Sequence, residues 1–68
     1  MSRILSPEYR HVQGEVSALH VALTRNAMAQ GHADSDEELE RLATEEDQLA
    51  EALHIYTQTL RQIPQFVS

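Results

Sequence analysis

Apolar residues recur along this chain at alternating steps of three and four, interrupted once by a short polar stretch. Tyr9, Val12, Val16, Leu19 and Leu23 keep that spacing in the first half. Leu39, Leu42, Leu49, Leu53, Tyr56, Leu60 and Ile63 keep it in the second. Such steps return side chains to one face of an α-helix, so each half predicts a helix with a coiled-coil-like stripe. Ser6 stands at the N-cap position of the first helix. Pro7 suits its first turn, where a missing N–H costs no bond, and Glu8 meets the positive end of the dipole. Gly31 marks the stop after Gln30, and Gly14 is an internal weakness of ~1 kcal/mol relative to Ala. Ser35 with Glu38 forms a capping box for the second helix, with Asp36 and Glu37 in its first turn. Pro64 disfavours helical geometry at Ile63 and ends it. The prediction is an all-α antiparallel hairpin in a single domain, residues 1–68: helix one about 7–30, a turn about 31–35, helix two about 36–62 and a short tail. The hairpin brings Ile4 and Leu5 near Ile63, Phe66 and Val67, where they are placed to close the open end.

Glu46 breaks the beat of helix two, standing where a Leu is expected. With a turn at 31–35, facing positions sum to about 66, good to about one helical turn, which sets Glu46 opposite His20. A His–carboxylate pair is a general base or pH-sensitive element where a substrate site surrounds it. Nothing near it in sequence resembles a nucleophile or a substrate clamp. The expected role of His20 and Glu46 is therefore a polar core pair that fixes register and partner choice in a Leu-rich seam.

A second apolar surface lies off the seam. Val21 and Met28 point away from it, flanked by Ala18, Ala22 and Ala29, and Ile55 is well off the stripe of helix two. A core from one short hairpin supplies little stability, ~3–5 kcal/mol at most. A homodimer closing into a four-helix bundle is the simplest remedy, since twofold closure is the commonest.

Charge changes the picture along the second half. The formal net charge is −6, with no Lys. Asp34, Asp36, Glu37, Glu38, Glu40, Glu45, Glu46, Asp47 and Glu51 face only Arg41 and Arg61, whereas the first half carries Arg3, Arg10 and Arg25 against Glu8 and Glu15. Direct nucleic-acid binding is not expected of such a chain, because phosphate backbones repel it. Asp36, Glu37, Glu40, Asp47 and Glu51 share the side of helix two opposite the Leu seam. The plainer account of this ridge is a solvated face; the functional account is a dock for Arg/Lys-rich protein surfaces. The absence of Cys excludes disulfides and Cys-ligated zinc and fits a reducing compartment. No run approaches the ~20 apolar residues of a membrane span, and Ile4–Leu5 is too short for a signal-peptide core. A cytoplasmic location and no membrane association are expected.

Chemistry is sparse. His11, His20, His32 and His54 form no H-x-x-x-H, and Glu-x-x-His occurs in helix two as Glu51 and His54. Carboxylate-bridged metal bundles use that spacing on two helices plus two further Glu, so a bundle metal site is a distant third reading. No cofactor, metal or catalytic residue is expected, because the chain offers no nucleophile elbow or phosphate-binding Gly loop. The leading expectation is a non-enzymatic, dimeric, acidic regulator, inhibitor or adaptor that binds another protein with a basic surface, such as a transcription regulator or an ATPase. Its candidate contacts are Asp36, Glu40, Asp47 and Glu51 with Val21, Met28, Phe66 and Val67. The alternatives are a structural or antitoxin-like subunit that folds fully in a complex, and an acidic decoy for a nucleic-acid-binding site.

Overall fold

The computed structural model describes residues 4–67, without the Val67 side chain. Strand β1 (Ile4–Leu5), helix α1 (Pro7–Gly31), helix α2 (Asp36–Gln62) and strand β2 (Phe66–Val67) follow in order. The two helices pack against each other as an antiparallel hairpin, so the fold is all-α.

Each helix end has a local chemical cause. Ser6 accepts the Tyr9 N–H on its hydroxyl at 3.4 Å, and Pro7 occupies the first turn. The α1 C-terminus differs from the expected glycine stop. The helix runs through Gly31, and no described residue adopts positive φ. The last carbonyls are instead taken up by tight i→i−3 bonds, His32 N–H to Ala29 O at 3.1 Å and Ala33 N–H to Gln30 O at 3.3 Å. At the start of α2 the Glu38 N–H donates to Ser35 Oγ at 3.1 Å. The return half of the capping box is replaced: the Glu38 carboxylate turns to Arg41, 4.0 Å away. Ile63 takes extended geometry before Pro64 and releases the chain from α2.

The chain ends meet at the open end as the hairpin requires, and they meet as a strand pair, which the helical stripes did not reveal. Ile4 pairs with Val67 and Leu5 with Phe66 in an antiparallel ladder, continued by Ser6 N–H to Gln65 O at 2.9 Å. The Ser6 backbone thus joins the ladder while its side chain caps α1, and the residue is buried. Two strands of two residues carry no periodicity, and an isolated pair this short is unstable. The hairpin makes it possible, because it delivers both chain ends to one place.

The core is thin. Val12 and Leu42 are the buried apolar residues among those described, while Leu19, Leu23, Leu49, Leu53 and Leu60 are only half-buried. Two helices cover each other's seam and leave both flanks of it open. The molecule measures 57 × 17 × 11 Å with a radius of gyration of 16.1 Å, one helix thick. A compact fold of this length has a radius near ~11 Å.

Candidate interaction surface

The best-enclosed point of the seam is polar. Asn26 is the most buried of the described residues, at 3% exposure, and its Nδ2 donates to the backbone oxygen of Leu42 at 3.0 Å. Its Oδ1 accepts from Gln30 Nε2 at 2.6 Å. Asn26 and Gln30 continue the α1 stripe beyond Leu23 by steps of three and four, so the beat was already in the sequence. The apolar letters alone end the stripe at Leu23, two turns early. This cross-helix bond joins a side chain of one helix to a main-chain group of the other, and it fixes the register directly.

The register it sets is level positions summing to about 68, not 66. Helix α1 extends through Gly31, so the turn spans 32–35 and is centred beyond Ala33, which moves the count by one residue; the Asn26–Leu42 bond accounts for the second. Glu46 therefore comes level with Ala22 and Leu23 rather than with His20. Glu46 is half-buried in the seam and His20 is exposed. Among the described residues they share no hydrogen bond or ion pair. The structure keeps Glu46 on the stripe but does not bring it together with His20.

A half-buried carboxylate in an apolar seam leaves stability unclaimed. Glu46→Leu is expected to hold or raise unfolding free energy, by up to ~1 kcal/mol for a half-buried Leu, while loosening the choice of register. Urea denaturation of the pair checks this. A loss above ~1 kcal/mol would show that the Glu46 carboxylate makes a stabilising contact.

Outside the seam, Asp36, Glu37, Glu40, Asp47 and Glu51 are all exposed on α2. Their carboxylates make no ion pair among the described residues, where the single ion pair is Arg41 with Glu38. The His54 ring is 3.1 Å from Gln58 Nε2, and no group of three His, Asp or Glu side chains among the described residues is arranged to hold a metal ion. Val21 and Met28 are 50% and 63% exposed on the far side of α1, and Ile55 is 55% exposed on α2. Phe66 is 41% exposed and held by its backbone in the strand pair; the Val67 side chain lies outside the described residues. No helix among the described residues is long and apolar enough to cross a membrane.

The flanks of the hairpin are unequal. Glu15, Ala22 and Ala29 of α1 and Glu38 and Ala52 of α2 are half-buried, and each directly precedes a seam residue. On the other flank Gln13, His20 and Ala27 of α1 and Ala43 and Ala50 of α2 are exposed. In an antiparallel helix pair the residues preceding the seam fall on one broad face. That face carries Ala18, Ala22, Ala29 and Ala52 together with the carboxylates Glu15, Glu38 and Glu45, whereas Glu40, Asp47 and Glu51 lie away from it. Compared with protein families, with curated proteins and with solved structures, the chain matches none.

Proposed function

We propose that this chain is a non-enzymatic protein-interaction module, a small acidic regulator, inhibitor or adaptor that acts as a dimer on another protein. The carrying observation is the amount of uncovered surface. The chain exposes 5450 Å², against roughly 4,300 Å² for a compact fold of its mass. The excess, of order 1,000 Å², exceeds the ~800 Å² per partner of a standard interface. A polypeptide that keeps so much surface in a one-layer hairpin is built to be covered. The five exposed carboxylates of Asp36, Glu37, Glu40, Asp47 and Glu51 supply attraction for an Arg/Lys-rich surface, accelerating encounter and selecting sign. The alternatives are a structural or antitoxin-like subunit that folds fully in a complex and an acidic decoy for a nucleic-acid-binding site.

The experiment is capture from host extract at graded salt, comparing the native chain with Asp36→Asn/Glu40→Gln/Asp47→Asn. A basic protein retained by the native chain is expected to bind the triple variant ~10-fold or more weakly, with a flatter salt dependence. Equal retention and an equal salt slope reject the acidic face as the dock.

A further inference from the structure

Helix α1 carries a second heptad stripe that the hairpin covers only in part, with Ala18 and Arg25 exposed and Glu15, Ala22 and Ala29 half-buried. Glu15, Ala18, Ala22, Arg25 and Ala29 step by three, four, three and four, as the seam does. The stripe lies about 110° around the helix from the seam, close to the quarter turn separating two neighbours in a four-helix bundle. Its centre is small, Ala18 and Ala22, so a second helix axis can approach to about 8 Å. Its ends are opposite in charge: Glu15 on one side, Arg25 on the other, equally spaced from the centre. Among the described residues neither side chain has an ion-pair partner within its own chain.

Resting on the dimeric reading above, we propose that the occupant of this face is a second copy of the chain, packed α1 on α1 in antiparallel sense. The twofold axis crosses between Ala18 and Ala22. Ala18 then meets the partner's Ala22, and Glu15 meets the partner's Arg25, each pair occurring twice by symmetry. Helix α2 stacks on its counterpart in the same layer, with Ile55 on the covered side and Glu40, Asp47 and Glu51 left outside. The other face-to-face twofold arrangement puts α1 on the partner's α2. With level positions summing to about 68, that arrangement puts Arg25 level with the partner's Ala43, midway between Arg41 and Glu45, and Glu15 level with the partner's Leu53. It gives Glu15 no cation within a helical turn, whereas α1 on α1 pairs Glu15 with Arg25 twice, so charge complementarity favours α1 on α1. The uncovered area described above is of the size this interface requires.

The test is sedimentation equilibrium of the full chain with Glu15→Arg and Arg25→Glu, alone, combined and mixed. Each single swap sets like charges against each other at both pairs and is expected to weaken self-association ~10-fold or more. Combining the two swaps in one chain restores opposite signs and brings the dissociation constant back to within about threefold. Mixing the two single variants restores both pairs between unlike chains, so a heterodimer as tight as the native dimer is expected. Thr24→Arg, on the exposed flank, is the control and leaves association unchanged. A native chain that stays monomeric at high micromolar concentration overturns the proposal, as does a dimer indifferent to both single swaps. Neither swap touches Asp36, Glu40 or Asp47, so salt-sensitive capture of a basic protein persists if only the dimer geometry is wrong and vanishes if the acidic-face reading is wrong.

Discussion

Replacing Leu42 by Ala is expected to remove ~2–3 kcal/mol of stability, more than any other single apolar truncation in this hairpin. Leu42 is 6% exposed, the most enclosed apolar residue described. Truncation costs the transfer energy of the lost atoms plus the cavity they leave, and the cavity part is largest where neighbours cannot collapse inward. Here the neighbour across the seam is Asn26, whose amide is tied to the Leu42 carbonyl and to Gln30, so it is poorly free to fill a void. A chain of this length has ~3–5 kcal/mol in total, so the loss takes half or more of it. The expected drop in Tm is ~10–20 °C, followed by helical circular dichroism at fixed protein concentration, since association also stabilises.

Leu39→Ala is the internal comparison. It stands one step earlier in the same stripe, with the same side chain, but is 38% exposed. Much of its surface is already wet, so its truncation is expected to cost ~1 kcal/mol. Equal losses at the two positions would show that burial in the isolated hairpin does not rank the seam, and that a partner covering Leu39 does.

The contrast between these two leucines also marks how far the sequence could be read. Both sit on the beat, and spacing alone assigns them the same place; their difference comes from what the opposing helix sets against each. Helix spans and the hairpin were legible because Ser6, Pro7, Ser35 and Pro64 act within a turn of themselves and the stripes run about four turns in α1 and six in α2. The meeting of Ile4–Leu5 with Phe66–Val67 at the open end was legible from the hairpin, but its form as a backbone ladder was not, because two-residue strands carry no periodicity of their own. His20 and Glu46 were paired by counting from the turn centre, an origin that a single extra helical residue at Gly31 displaces. Asn26 was within reach: it falls on the α1 beat, but a search for apolar letters treats a polar residue there as the end of the stripe. Glu46 was noticed only because apolar residues resume after it.

That overlooked residue carries the second large expectation. Asn26→Asp preserves shape and removes a donor, and it is expected to cost ~2–4 kcal/mol at neutral pH. The oxygen placed at the Nδ2 site would stand 3.0 Å from the Leu42 carbonyl oxygen, so an attraction becomes a contact between two acceptors. Only Gln30 Nε2 remains to solvate the new charge at a position 3% exposed. Asn26→Leu separates the charge from the lost bond. As part of the unbroken α2 helix, the Leu42 carbonyl still accepts the Glu46 N–H, so no buried acceptor is orphaned and that variant is expected to fall within ~1 kcal/mol of native. The acid variant has a pH signature. Protonated, its carboxyl donates an O–H to Leu42 O; ionised, it cannot, so folding raises its pKa above the ordinary value of about 3.9. The stability of the neutral form is therefore complete below the unfolded pKa and is lost as pH rises through the folded one. Urea midpoints of native and variant, measured at equal protein concentration, should lie close together near pH ~3.5 and separate toward pH ~7, the other acids being common to both. A gap that is small at neutral pH, or the same at both, would mean that the side chain at position 26 turns out to water and that the Asn26–Leu42 bond does not set the register.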